Sequence, residues 1–218
     1  MFELLTLCTQ DLSDVPGGDD WLSAGEREIL AGLRFSKRRN DWRLGRWTAK
    51  QAIMGYFLGT DVVLSLVEIR AAADGAPEAF IRNMPAGVAI SISHSAERSF
   101  CAAGTPDAAF GCDIEQLEPR DERFAADYFT SEEIKLTREA DPQNKILIAN
   151  LVWSAKESVL KALREGLRRD TRDICIKPEF IAQEKMWNRW TGRCLQTSRE
   201  FSGRWRADSR FVYTVAYS

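Results

Sequence analysis

The order of predicted elements constrains this chain more than any other feature. A strand, helices and several short strands are followed by helices and short strands again. Residues 2–8 read as a first strand. Ser23-Ala24-Gly25-Glu26 has the form of a capping box, with Ser23 as N-cap and Glu26 three residues on. The spacing then predicts a long helix from just after Ser36 to near Gly59. Trp42, Gly45, Ala49, Ala52, Ile53 and Tyr56 would form its buried stripe, with Arg39, Arg43, Arg46 and Lys50 on a neighbouring polar stripe. Short strand patterns follow at 67–70, 78–81, 88–93, 100–104 and 108–115, separated by Gly, Pro, Asn or Asp. Thr130-Ser131-Glu132-Glu133 is a second capping box that opens a helix, and a longer helix follows from about 145 to 163 or beyond, with Gly166 as its stop. The tail returns to strands at about 173–177, 184–190, 193–199 and 210–217. No Gly/Ser/Pro-rich linker divides the chain, and no low-complexity tract or short repeat stands out. The simplest architecture is α+β, two similar α/β halves over 1–107 and 108–218 packed together.

Composition narrows the class. Of the 218 residues, 44% are hydrophobic and 28% charged, the profile of a globular domain. No apolar run approaches the ~20 residues that cross a bilayer, and the N-terminal residues lack the basic region and cleavage site of a secretory signal. The five cysteines (8, 101, 112, 175 and 194) are scattered and odd in number, which favours reduced thiols in a cytoplasm over a disulfide framework or zinc site. A single histidine, His94, disfavours multi-histidine metal centres. The net charge of −2 hides a basic block: Arg34, Lys37, Arg38, Arg39, Arg43, Arg46 and Lys50 are opposed only by Asp41. Such a block wants an anion, and the near-neutral total argues for a local one rather than a nucleic acid.

Three short segments could carry chemistry. In Gly111-Cys112-Asp113-Ile114-Glu115, a strand would project Asp113 and Glu115 on one face and turn Cys112 and Ile114 to the core. Paired carboxylates repel unless a cation or protons neutralise them, and oxygen ligands without nearby histidine or thiolate suit Mg²⁺. Two solvated acids at a strand end is the competing reading. In Trp153-Ser154-Ala155-Lys156-Glu157-Ser158-Val159-Leu160-Lys161, Glu157 and Lys161 stand one helical turn apart, in the order of an ordinary surface ion pair. If Trp153, Leu160, Leu163 and Leu167 hold that helix against the sheet, Glu157 becomes a third carboxylate and Lys161 a phosphate donor. Ser91-Ile92-Ser93-His94-Ser95 places the histidine at a strand end among hydroxyls, where an imidazole can donate to a phosphate.

Taken in order, these segments resemble one family. The basic helix with Gly45-Arg46 and Ala49-Lys50, Gly75-x-Pro77, Ser93-His94-Ser95, Gly111-x-Asp113-x-Glu115, Phe129-Thr130-x-Glu132-Glu133 and Trp153-x-x-Lys156-Glu157-x-x-x-Lys161 are similar to the phosphopantetheinyl transferases of the surfactin-synthetase-activating (Sfp) type. Order and spacing hold from about residue 34 to 167; the tail matches only in its strand-rich character.

The resemblance implies a pseudo-dimer of two α/β halves with coenzyme A in the cleft between them. It implies transfer of 4′-phosphopantetheine from coenzyme A to a serine of an acyl or peptidyl carrier protein, with release of adenosine 3′,5′-bisphosphate. By position, Asp113, Glu115 and Glu157 would hold Mg²⁺, with Mn²⁺ as an alternative ion. Glu157 and Lys161 would be catalytic. Arg39, Arg46, Lys50, Ser93, His94, Lys156 and Lys161 would contact coenzyme A, His94 at its 3′-phosphate. A cytoplasmic monomer acting on neither nucleic acid nor membrane is the expectation. Two departures stand out: Ala76 replaces the lysine common in Gly-Lys-Pro, and Cys112 replaces the usual Val or Ile. A Mg²⁺-dependent nuclease or nucleotidyl transferase, and a coenzyme A-binding module without catalysis, are the rival readings.

Overall fold

Each of the two predicted capping boxes opens a helix and also ties that helix into its surroundings. The computed structural model describes residues 1–58, 62–179 and 186–218; the side chain of Leu167 and the backbone at Gly59 lie outside the described residues. The chain forms two units, Glu3–Ala108 with Met1, and Ala109–Ser218 with Phe2.

The first unit contains β1 (Thr6–Asp11), α1 (Ala24–Gly32), α2 (Ser36–Tyr56), β2 (Val67–Ala71), β3 (Pro77–Ile81), β4 (Met84–Ser95) and β5 (Arg98–Gly104). The second contains β6 (Phe110–Gln116), α3 (Glu122–Tyr128), α4 (Ser131–Glu139), α5 (Lys145–Ala162), β7 (Ile174–Pro178), β8 (Asn188–Cys194), β9 (Glu200–Ala207) and β10 (Phe211–Tyr217). Each unit has a five-stranded antiparallel sheet, in the orders β1-β5-β4-β3-β2 and β6-β10-β9-β8-β7. The two orders are the same topology written twice. One long helix packs on each sheet: Ala49, Ala52 and Ile53 of α2 over Val67, Ile69 and Cys101, and Leu151, Ala155 and Val159 of α5 over Ile174, Trp190 and Val212. No described helix is long and apolar enough to cross a membrane. All five cysteines are free thiols.

The duplication reaches individual atoms. In the first unit Glu26 Oε2 accepts from the Ser23 amide at 3.0 Å and from Lys50 Nζ at 2.6 Å, while Oε1 accepts from the Ile69 amide at 3.0 Å. In the second, Glu133 Oε2 accepts from the Thr130 amide at 2.8 Å and pairs with Lys156 Nζ at 2.8 Å, while Oε1 accepts from the Ile176 amide at 2.7 Å. Lys50 donates further to the carbonyls of Trp21 and Leu64, and Lys156 to those of Thr171 and Ile174. A glutamate that caps its own helix thus also bridges a lysine of the long helix and a strand amide. Both lysines are 0% exposed, so every donor must be satisfied inside the protein. The sequence does hold a short repeat after all: Ser23-x-x-Glu26 with Trp47-Thr48-Ala49-Lys50, and Thr130-x-x-Glu133 with Trp153-Ser154-Ala155-Lys156.

Two strand expectations move. Residues 2–4 form a single 3₁₀ turn and the first strand starts at Thr6. The segment expected as a strand over 193–199 straddles a hairpin: β8 ends at Cys194, a turn follows, and Ser198 takes φ +56° before β9 begins at Glu200. That turn has no Gly, Pro, Asn or Asp to announce it. Of the strand expected at 184–190, residues 184 and 185 lie outside the described residues.

Candidate active site

In the second unit, β6 and α5 bring four charged side chains together. Asp113 and Glu115 project from the β6 face that α5 covers. The helix passes close because Gly111 has no side chain. A Cβ there would lie 2.1 Å from the Ser158 carbonyl oxygen and 2.6 Å from the Ala162 amide nitrogen. Buried hydroxyls fasten the same crossing from the adjoining strand. Thr214, the cross-strand partner of Asp113, has its Oγ1 2.9 Å from Ser154 Oγ and 2.6 Å from Ser158 Oγ. The crossing delivers Lys161, whose Nζ donates to Asp113 Oδ1 at 2.7 Å. On Glu115, Trp153 Nε1 donates to Oε1 at 2.8 Å and Arg120 to Oε2 at 3.1 Å.

Crowded anions in a half-dry site shift proton affinities. Burial, then the Asp113 charge, raise the pKa of Glu115 to about 7, against the opposing pull of Arg120, Trp153 and Lys161. Burial and Asp113 raise Glu157 in the same way. For Lys161, burial opposes the charged form, but the Asp113 carboxylate and its hydrogen bond outweigh it, and the pKa is raised.

The donor set fits a hard divalent cation. Asp113, Glu115 and Glu157 offer carboxylate oxygens only, and burial, with the Asp113 charge second, makes the ionised forms of the two glutamates costly in a way that a bound cation relieves. Among the described residues no three His, Cys, Asp or Glu side chains already enclose an ion; the Lys161 ammonium supplies the positive charge at Asp113.

Within the first unit, a pocket of ≈ 630 Å³ is lined by Lys37, Arg38, Arg46, Arg70 and His94, with Asp41, Trp42 and Pro77 among its other walls. Arg46 lies with its guanidinium over the Trp42 ring, 4.4 Å from the centroid, and its buried Nε has no hydrogen-bond partner. Burial lowers its pKa, partly offset by Glu26. A desolvated cation stacked on an aromatic wall is a receptor for an anion.

The basic residues expected at coenzyme A divide sharply. Arg46 and His94 line the pocket. Arg39 instead donates to the Leu30 and Leu33 carbonyls, closing the C-terminal end of α1. Lys50 and Lys156 are consumed by the buried pairs with Glu26 and Glu133 and reach no solvent. Ser93 sits on the opposite face of β4 from His94; it is buried, and its carbonyl accepts from Ser99 Oγ. Ala76 forms a turn in which its amide donates to Asp74 Oδ1, leaving Gly75 and Pro77 at the pocket. Lys37 and Arg38 belong to the basic block, where no local pattern separates them from their neighbours, and Arg70 gives no local signal, since only the fold brings residue 70 to the same pocket as residue 46. Arg120 likewise escapes a reading that stops at Glu115.

The duplication shows what the first unit has where the second carries its acids. Lys50 corresponds to Lys156, so Gln51 and Gly55 correspond to Glu157 and Lys161. A Cβ on Gly55 would sit 3.0 Å from Thr6 Cγ2, as Lys161 Cβ sits against Gly111. Thr6 therefore matches Gly111, and Cys8 and Gln10 match Asp113 and Glu115. The first unit keeps the scaffold and has an uncharged residue at each of the four positions.

Residues 109–216 match the family model described as the 4′-phosphopantetheinyl transferase superfamily. The chain is also 26% identical over 173 residues to 4′-phosphopantetheinyl transferase HetI of Nostoc sp. (strain PCC 7120 / SAG 25.82 / UTEX 2576), a match that covers 78% of this chain and 71% of HetI. The matched segment contains the β6–α5 crossing with all four of its charged residues, and that segment belongs to the 4′-phosphopantetheinyl transferase superfamily.

Proposed function

We propose that this phosphopantetheinyl transferase moves 4′-phosphopantetheine from coenzyme A to a serine hydroxyl of an acyl or peptidyl carrier protein, in a Mg²⁺-dependent reaction that releases adenosine 3′,5′-bisphosphate. The meeting of Asp113, Glu157 and Lys161 at the β6–α5 crossing carries this reading. Asp113, Glu115 and Glu157 hold the ion. When bound, Mg²⁺ supplies neutralisation of the pyrophosphate oxygens and of the charge on the departing phosphate. Lys161, kept protonated by Asp113, adds a donor to the phosphates where charge develops. Glu157 is also the carboxylate that receives the serine proton, directly or through a water; its ligand role comes first, because coordination to the ion weakens a carboxylate as a base. The serine attacks the β-phosphate directly, with no covalent enzyme intermediate. In the first unit, the pocket walled by Lys37, Arg38, Arg46, Arg70 and His94 receives the phosphorylated nucleotide, His94 at the 3′-phosphate.

The test is a mass-shift assay with coenzyme A, Mg²⁺ and a panel of carrier proteins. One phosphopantetheine added to a carrier by the wild type, and none by Asp113→Ala, is the expected result. Undiminished transfer by Asp113→Ala in saturating Mg²⁺ would refute the metal assignment, and a phosphopantetheinylated enzyme trapped without carrier would refute direct attack.

A further inference from the structure

Around Glu115 the structure closes a ring of side chains that none of its members forms alone. Arg120 donates to Glu115 Oε2 at 3.1 Å. Its guanidinium also lies over the Phe124 ring of α3, 4.7 Å from the centroid. Phe124 meets Trp153 of α5 edge-on, at 5.2 Å and 74°. Trp153 Nε1 returns to Glu115 Oε1 at 2.8 Å. Each oxygen of Glu115 thus accepts one directed hydrogen bond, Oε2 from Arg120 and Oε1 from Trp153.

Arg120 is itself anchored by more than the ring. Nε donates to Asn150 Oδ1 at 2.9 Å, and Nη1 pairs with Glu118 at 3.1 Å. Asn150 is 0% exposed, and its amide donates to the Glu118 carbonyl at 2.7 Å and to the Ile146 carbonyl at 2.8 Å. Every edge of the guanidinium fork is therefore committed: to the strand end, to the segment leading into α3, and to α5. A residue whose sole purpose was to cancel a surface charge would need only one of these contacts, and exposed pairs of that kind hold little geometry.

We infer that Arg120 is a positioning residue for Glu115: through the Arg120–Phe124–Trp153 ring it fixes the plane of that carboxylate for a divalent cation. The inference rests on the proposed role of Glu115 as a metal ligand. Each carboxylate oxygen has two acceptor directions, so one hydrogen bond apiece orients the group and leaves a direction on each oxygen for an ion. Partners that hold a ligand's orientation typically govern metal affinity by 10–100-fold. A planar fork can hold three acceptors at fixed angles; an ammonium at the end of a flexible stem cannot.

Direct Mn²⁺ binding to the full chain, read by electron paramagnetic resonance without coenzyme A or carrier, tests this. Wild type should bind, Asp113→Ala should lose binding, and Arg120→Ala should bind at least about tenfold more weakly. Arg120→Lys should stay close to the alanine variant. Unchanged or tighter binding by Arg120→Ala, with Asp113→Ala still deficient, overturns the positioning role and leaves the metal site standing. Full restoration by Arg120→Lys shows that charge alone suffices and also overturns it. No binding by wild type, or equal binding by Asp113→Ala, overturns the metal reading and this inference with it. If circular dichroism shows Arg120→Ala unfolded, Phe124→Leu, which removes the platform and keeps the arginine, should weaken Mn²⁺ in the same direction; unchanged affinity there overturns the role.

Discussion

Glu115 is a carboxylate whose charge the protein does not want until something arrives to share it. Its pKa of about 7 in the folded chain lies above its ordinary value of 4.5, because burial and Asp113 both favour the neutral form. The sign of the linkage follows. The folded state binds the proton more tightly, so the stabilisation is full below about pH 4.5 and is lost as pH rises through about 7. Metal-free protein should lose roughly 3 kcal/mol of stability across that window. Glu115→Gln should flatten the slope in a series of urea titrations, and saturating Mg²⁺ should flatten it in wild type by binding the ionised carboxylates. Arg46 poses the mirror problem, a half-buried cation facing an open pocket with an aromatic ring beneath it. Arg46→Ala should raise KM for coenzyme A by about tenfold or more and leave kcat nearly unchanged, as expected for a group that binds ground and transition states alike.

At the scale of elements, function depends on how closely one helix approaches one strand. Gly111 lets α5 cross β6 at backbone contact, and the Ser154, Ser158 and Thr214 hydroxyls hold it there. Gly111→Ala should cost several kcal/mol, about 2–4, because its clash is with helix backbone rather than a movable side chain. Its urea midpoint should fall, and transfer should be lost even where it remains folded. The capping boxes and the long helices were legible from local pattern, since a Ser or Thr three residues before Glu caps a helix in any context. The hairpin between β8 and β9 was not, because the turn lacks Gly, Pro, Asn and Asp and carries only the weaker signal of the Thr197 hydroxyl, which accepts from the Arg199 amide. The short α3, capped by Asp121, also escaped; it is held by Phe124 and Tyr128 packing on Trp153 rather than by its own periodicity.

Over the whole molecule, one scaffold is used twice and armed once. Glu26–Lys50 and Glu133–Lys156 are the same buried pair in the same surroundings, so Glu26→Ala and Glu133→Ala should cost comparable amounts, about 3–5 kcal/mol each, in thermal or urea unfolding. A large inequality between the two would show that the units do not share this support. Replacing Asp113, Glu115, Glu157 and Lys161 by Cys8, Gln10, Gln51 and Gly55 at matching positions removes the repulsion that the acids bring. The blank unit thus needs no cation at this crossing.

Residue types and their order are written in the chain itself: the acids two apart on a strand, Glu157 and Lys161 one turn apart, and a basic block wanting an anion. Those follow from periods of two and of 3.6, which are properties of a single element. Which cation meets which partner is set by contacts between elements distant in the chain. Lys50, Lys156, Arg39 and Arg46 look alike as letters on helices, yet two are sealed in buried pairs, one closes a helix end, and one faces a pocket. Arg70 and Arg120 acquire their surroundings from elements that are distant in sequence. The same holds for the acids and lysine, which become a single site only because Gly111 brings the helix down onto the strand.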